Sequence, residues 1–503
     1  MARFRSNLIA NVAGAGWTAA LQLICIPIFL RLLGVEGYGL FGFYVALQLS
    51  LQVLDLGFSV TINRELARYT ERSQDATRVR DVVRTLEILY WCIGFGIATG
   101  LLLLAPAIGA HWIRATTLDP TDVVRAVQLM ALAIVFQWPL SFYQNGLGGL
   151  QQQVLANIVR MVVAGFSYGG AVVVLTHFGR SVTAFFVWQL LASIIQAALV
   201  AGAFWRSMPQ RPQRPCFNFA LTHNIRSFAG GMGAIAVLST VLTQMDKIVL
   251  SRLLTLENFG YYILSGVIAS SLQVFISPIF TAVFPRLCGM VAKNEAHDIR
   301  TLYHQGTQLT AVLVLPMAVV LGMFGPQIVT LWTGDAAIAS QVAPVVTLLA
   351  LGTAVNGLMH LPYALQLAHG WTSLSLRFSL IKAVVFLPFL WWAASRYGAT
   401  GGAATWAALN LCYMLIGVPL THRKLLRGDA LRWFLGDVGH PLLWTLVVVS
   451  IYRAGIGTDA LGWNAGAEIF IGYLLAVLAA LAATREIRTA IAKSISEYRG
   501  LHA

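Results

Sequence analysis

The sequence predicts an all-α polytopic membrane protein of about fourteen transmembrane helices, arranged as two parallel six-helix lobes (helices 1–6 and 7–12) with two extra C-terminal helices. Three observations carry this expectation. Of 503 residues, 58% are hydrophobic and only 11% are charged, against about 25% charged in a soluble domain. Apolar runs of roughly 20 residues, long enough to cross a bilayer, follow one another from end to end. The stretch Arg31 to Leu66 also recurs, 221 positions later and without a gap, as Arg252 to Leu287. The coinciding pairs include Arg31/Arg252, Glu36/Glu257 and Gly39/Gly260, and Ser50-Leu51-Gln52-Val53 against Ser271-Leu272-Gln273-Val274. A fixed-period repeat in a membrane chain is the mark of a transporter built from two matching halves.

Taken in order, the first six helices fall at 8–33, 38–63, 86–110, 123–146, 153–177 and 182–205. The next six fall at 225–251, 257–284, 303–331, 340–367, 371–396 and 399–421, and two more at 434–453 and 463–484. The division expected is an N-terminal lobe at 1–206, a cytoplasmic linker at 207–224, a C-terminal lobe at 225–425, the extra pair at 426–484 and a tail at 485–503. The linker is rich in Pro and Arg, and the tail places Ile487, Ile491, Ile495 and Tyr498 on one helical face, which suits an amphipathic helix on the inner leaflet. The basic N-terminus followed by an apolar run resembles a signal peptide, but no small-residue cleavage site follows, so it is read as a retained first helix. Helix 2 recurs as helix 8, six spans later, so the two copies cross the membrane in the same direction.

The 34 Lys and Arg against 20 acidic residues are not read as a nucleic-acid surface, because they sit in short loops. With the N-terminus inside, inner segments hold 23 of them and outer segments 6. This positive-inside split puts both termini in the cytoplasm. The five left over are Arg125, Arg160, Lys247, Arg377 and Lys382, all within spans or near their ends. The five cysteines are far apart with no CxxC, so neither a zinc site nor a disulfide framework is indicated.

No catalytic constellation is legible. There is no Gly-Lys dipeptide for a phosphate loop and no HExxH, and the one GxSxG, Gly165 to Gly169, lies inside helix 5 rather than at a strand-to-helix turn. The informative residues are charges inside spans, which are costly in hydrocarbon and usually face a wet cavity or a partner. Lys382, Arg377, Arg160, Arg125 and Lys247 are the candidates for a cationic, anion-binding cavity. Asp55 and Asp246 are the candidates for an ion-coupling role, with H+ or Na+ as the ion; no other cofactor and no metal is expected. Each has a plainer reading. Arg125, Arg160 and Arg377 can snorkel to an interface, Asp55 can be a buried structural group, and Asp246 and Lys247, being adjacent, diverge by about 100° and need not pair. Lys382 lies too deep to snorkel easily.

Several stretches resemble a known family: LRLLGVEGYGLFGF (30–43), LDLGFSVTINRELARY (54–69), GLQQQVLANIVR (149–160), and TQMDKIVLSRLLTLENFGYYILS (243–265) followed by PIFTAVFPRL (278–287). They are similar to the polysaccharide transporter family of bacterial inner membranes, the O-antigen and exopolysaccharide repeat-unit flippases of the multidrug/oligosaccharidyl-lipid/polysaccharide superfamily. The resemblance covers roughly residues 1–420. It implies an undecaprenyl-diphosphate-linked oligosaccharide carried from the cytoplasmic to the periplasmic leaflet by alternating access. It also implies polysaccharide polymerase and chain-length machinery as partners. A monomer suffices, and no nucleic acid is involved. A multidrug antiporter of the same superfamily is the alternative, which would favour an acidic cavity. A membrane-embedded polymerase would need large outer loops, and the longest here runs only from His111 to Asp122.

Overall fold

The structure, a computed structural model, describes residues 2–55, 57–72, 76–208, 215–217, 223–456 and 465–489. Most of the expected linker and the tail beyond residue 489 lie outside the described residues. Every regular element among the described residues is helical. Among the described residues, eleven helices are long and apolar enough to cross a membrane, and with their charge content this makes the chain a multi-pass helical membrane protein. By contact the chain divides into two compact units, Met1–Gly260 and Tyr261–Ala503.

The first unit holds α1 (Ala2–Leu51), α2 (Phe58–Arg72), α3 (Ala76–Ala107), α4 (Pro120–Gln137), α5 (Leu140–Gly149), α6 (Gln153–His177), α7 (Val182–Ser207) and α8 (His223–Leu253). Helix α9 (Leu256–Ser270) begins at its end. The second unit continues with α10 (Gln273–Lys293), α11 (Ala296–Met323), α12 (Gly325–Thr333), α13 (Ala336–Leu358), α14 (His360–Ala368) and α15 (Thr372–Leu425). It ends with α16 (Ala430–Arg432), α17 (His440–Ile456) and α18 (Ala465–Ala483). Helix α8 packs on α1 and so belongs by contact to the first unit, whereas the sequence division placed it with the second half.

Two long helices are pairs joined at a glycine. Gly34 (φ 73) breaks α1 and Gly398 (φ 61) breaks α15, between expected helices 1 and 2 and expected helices 11 and 12. A positive φ is open to glycine at little cost. Together with the remaining helices, these breaks are consistent with a count of fourteen.

The duplication extends to where helices break. Ser50-Leu51-Gln52-Val53 runs into a 3-10 turn at Gln52–Asp55, and its copy, Ser271-Leu272-Gln273-Val274, spans the junction of α9 and α10. Helix α4 gives way to α5 at Trp138, and α13 to α14 at Met359, again 221 residues on. Further along, left-handed backbone recurs at Gln151 and Gly370, and positive φ at Gly179 and Gly398, both pairs 219 apart. Expected helices 2, 4, 8 and 10 are therefore broken ones, as Pro139, Pro278 and Pro362 indicated for the last three.

In the first unit, Tyr90, Trp138, Phe142, Tyr143 and Phe204 form an aromatic core. It closes over Glu87, which accepts from Tyr143 Oη (2.6 Å), Trp205 Nε1 (2.9 Å) and Arg84 Nη1 (2.7 Å). The turn before α4 is fixed by Glu36, 5% exposed. Its two oxygens accept from the N–H and hydroxyl of Thr116, the N–H and hydroxyl of Thr117 and the N–H of Leu118, at 2.6–3.0 Å. Asp119 then caps α4, and the Thr121 hydroxyl and N–H hold its carboxyl below the usual range. In the second unit, Tyr303, Leu358, Met359, Leu365 and Trp433 make the corresponding core.

Candidate functional site

Asp55 does not lie deep in a continuous helix. It ends the 3-10 turn, and Gly57 (φ 76) turns the chain into α2. Its carboxylate accepts from Ser59 N (3.3 Å) and Ser59 Oγ (2.6 Å), which caps the start of α2. On its open side Asp55 lines a cavity of about 260 Å³, shared with Gln48, Gln52, Gln137, Trp138 and Gln144. Two helix breaks make the room: the turn at Gln52–Asp55 on one wall and the Trp138–Pro139 junction on the other. The glutamines and Trp138 carry no charge and were invisible to a search for charges in spans. Two signals could have found them: Pro139 in an apolar run, and the repeated tetrapeptide that contains Gln52.

Lys382 lies on α15, partly buried, with Nζ 4.2 Å from the centre of the Tyr413 ring. Phe378 packs edge-on against the same ring. An ammonium on an aromatic face is held in place while its remaining N–H donors stay available to an anion. Tyr413, which sequence reasoning missed, is thus the residue that positions the cation.

The other candidates divide. Arg160 on α6 and Arg377 on α15 are both exposed. The register of 219 between these helices sets Arg160 opposite Ser379, two residues from Arg377. At about 100° per residue, the two arginines therefore do not occupy equivalent positions on their repeated helices. Arg125 lies near the start of α4, 3.7 Å from Asp122 and with its side chain 65% exposed, as an interfacial residue would. Lys247 and Asp246 do approach each other, at 3.6 Å, despite being neighbours. The reason is that Lys247 Nζ folds back along α8 to donate to Thr243 O (3.0 Å).

A family model described as "Polysaccharide biosynthesis protein" matches residues 4–291, more than half of the chain. The chain belongs to that family. The chain is 19% identical over 401 residues to a "Putative O-antigen transporter" of Shigella flexneri, covering 80% of the chain and 93% of the relative. It is 22% identical over 466 residues to "Lipopolysaccharide biosynthesis protein WzxC" of Escherichia coli (strain K12), covering 89% and 88%. Its fold is similar to that of a structure described as "Lipid II flippase MurJ, inward closed conformation", at a TM-score of 0.71 and 13% identity over 99% of this chain and 100% of that one. An inward-facing multidrug resistance MATE transporter of the MOP superfamily matches at 0.64 and 13% identity, over 81% and 94%. The full-length match to MurJ takes in α17 and α18, so the extra C-terminal pair is part of a known fold.

Proposed function

We propose that the chain is a flippase of the bacterial inner membrane. It carries an undecaprenyl-diphosphate-linked oligosaccharide from the cytoplasmic to the periplasmic leaflet by alternating access, for O-antigen, capsule or exopolysaccharide synthesis. The observation that carries this reading is the family membership together with a relative described as an O-antigen transporter, of which the match covers 93%. Lys382 on the face of Tyr413 supplies a held cation of the kind a diphosphate needs. Energy comes from an ion gradient of H+ or Na+, as the family resemblance implies; the sequence carries no phosphate-binding loop of its own.

The test is a deletion in the organism that carries the gene. Complete lipid-linked repeat units should build up on the cytoplasmic leaflet, shielded from a periplasmic modifying enzyme, and the intact gene should clear them. Units found on the periplasmic leaflet but unpolymerised would overturn the reading in favour of a downstream step. Unchanged glycolipids with new sensitivity to cationic drugs would favour the multidrug antiporter, whose fold this chain shares.

A further inference from the structure

The two carboxylates expected to couple an ion are already engaged: Asp55 caps α2 through Ser59, and Asp246 lies 3.6 Å from Lys247. A different titratable cluster, wholly within the second unit, is built to hold a proton. His304 of α11 is fully buried, with a carboxylate oxygen at each ring nitrogen. Nδ1 is bonded to Asp437 Oδ2, and Nε2 stands 3.4 Å from Asp429 Oδ2. With Nδ1–H given to Asp437, the neutral ring turns a nitrogen lone pair toward Asp429, and only the protonated ring donates on both sides. Arg300 Nε meets the same Asp429 oxygen at 2.7 Å. His304, Arg300, Asp429 and Asp437 together carry one net negative charge without the proton and none with it. A buried charge without compensation is costly, so one proton decides whether the cluster holds together.

A way in and a second acceptor are present. Arg300 is exposed and the Asp429 side chain is 11% exposed, so Asp429 links water at the rim to Nε2 of the buried ring. On α15, His422 gives its Nδ1–H to Val418 O (2.8 Å), which leaves Nε2 with a lone pair. That nitrogen is buried and has no partner among the described residues. Tyr303 packs edge-on against both imidazoles, at 5.4 Å between ring centres in each case, and its hydroxyl is likewise buried without a partner. Such atoms are few in a native fold. His304, Asp429 and Asp437 all act electrostatically on His422. Helices α10, α13 and α14 meet this region with apolar side chains such as Leu287, Leu358 and Leu361. Asp437 itself is carried on a π-helical stretch, Trp433–Gly439. Such stretches are rare and frequent at functional sites, and a one-residue return to α geometry swings a side chain by about 100°. The partner of His304 therefore stands on an element with two arrangements.

We propose that His304, held between Asp437 and Asp429, is a proton-binding site through which the ion gradient drives transport, so that the coupling ion is H+. The proposal rests on the flippase reading. The proton comes from water by way of Asp429 and forms an N–H bond on the lone pair of His304 Nε2. On release that bond breaks, the lone pair returns to Nε2, and the proton passes to water or to His422 Nε2. Loading closes the ring on both carboxylates. Unloading leaves the cluster with excess negative charge and frees Asp437 with its π-helical stretch, which leads into α17.

The test uses purified protein in liposomes with glycolipid extracted from the deletion strain, and periodate, which does not cross the membrane, to oxidise glycolipid in the outer leaflet. With an acid interior, the wild type should draw glycolipid inward, so that the share open to periodate falls at least about twofold. Nigericin, which exchanges H+ for K+, should abolish the effect, and a sodium gradient should produce none. His304→Gln keeps an N–H donor for Asp437 but binds no proton, and should give the same share with and without the pH gradient. Asp429→Asn should lose at least about half of the effect. Variants are accepted only if gel filtration and the unfolding midpoint match the wild type; where His304→Gln fails, His304→Leu with Asp437→Leu takes its place. A wild type that moves glycolipid as readily with a sodium gradient, or with none, overturns the proton site and leaves the flippase reading in place. So does a His304→Gln protein that answers the pH gradient as the wild type does. If no variant folds, the cluster is a determinant of the fold and the proposal falls. A wild type that moves no glycolipid under any of these conditions overturns the flippase reading and the proton site with it.

Discussion

Lys382 and Tyr413 are the residue pair on which transport turns in the proposed function. A partly buried ammonium needs a partner, and here it is a ring face 4.2 Å away; among the described residues no carboxylate pairs with it. Such a contact is worth about 0.5–2 kcal/mol depending on desolvation. Lys382→Ala should therefore abolish clearance of lipid-linked units while the protein reaches the membrane in normal amount, as an immunoblot of membrane fractions would check. Lys382→Arg should keep part of the activity, because charge and ring contact both survive. Tyr413→Phe keeps the ring and should be close to neutral. Tyr413→Ala should reduce transport about two- to fivefold through a mispositioned ammonium. If Lys382→Ala transported at the normal rate, the cation would be structural. Lys382 was legible in the sequence because a charge deep in an apolar span stands out. Tyr413 was not, since an uncharged tyrosine in an apolar span carries no mark of its own until the fold sets it over the amine.

At the scale of elements, helix breaks and the turns that hold them decide where sites form. The copies of Ser-Leu-Gln-Val were visible as identical letters, but their meaning, a break in each half, was not. Apolar periodicity continues through such a break, and only the backbone at Gly57 and the Asp55–Ser59 bonds interrupt the helix. Glu36 is the clearest case of a turn carried by one side chain. Five donors converge on its carboxylate, and together they fix the loop that Asp119 closes. Glu36→Gln keeps the shape but turns an NH2 group toward two of those donors, so the variant loses bonds and gains a clash of like polarity. It should lower stability by about 2–4 kcal/mol, seen as a clear drop in the thermal unfolding midpoint of detergent-solubilised protein. Glu36→Asp, one methylene shorter, should fall between wild type and Gln. A Gln variant as stable as the wild type would show that the loop is held by its other contacts.

At the scale of the whole chain, helices α17 and α18 are an addition to a duplicated plan, and they had to be fastened by something the duplication does not supply. The fastening is a buried polar junction in the second unit. His304 of α11 is fully buried, with Nδ1 bonded to Asp437 and Nε2 3.4 Å from Asp429 Oδ2. Asp437 also accepts from Gln308 Nε2 (2.8 Å), and Gln308 Oε1 in turn accepts from the backbone N–H groups of Glu486 and Ile487. Arg300 Nε lies 2.7 Å from Asp429 Oδ2 and Arg432 Nη2 2.6 Å from Glu486 Oε1 at the rim. One helix of the repeat thus grips the chain both before α17 and after α18. None of this was singled out in the sequence, because the partners lie more than 120 residues apart and His304, Gln308 and Asp437 fall near the ends of expected helices, where a polar residue reads as interfacial. The energetics give a sharp expectation. Removing the partner of a buried carboxylate leaves it without compensation, at about 3–5 kcal/mol, whereas replacing both members with apolar groups is often nearly neutral. His304→Leu alone should therefore strand Asp437 and free the α17–α18 pair, making the connection before α17 sensitive to protease in membrane vesicles and lowering the unfolding midpoint. His304→Leu combined with Asp437→Leu should recover most of both losses. If the double variant were as damaged as the single one, the junction would matter for more than holding these helices, and its transport activity, measured beside its stability, would show whether the extra role lies in moving the substrate.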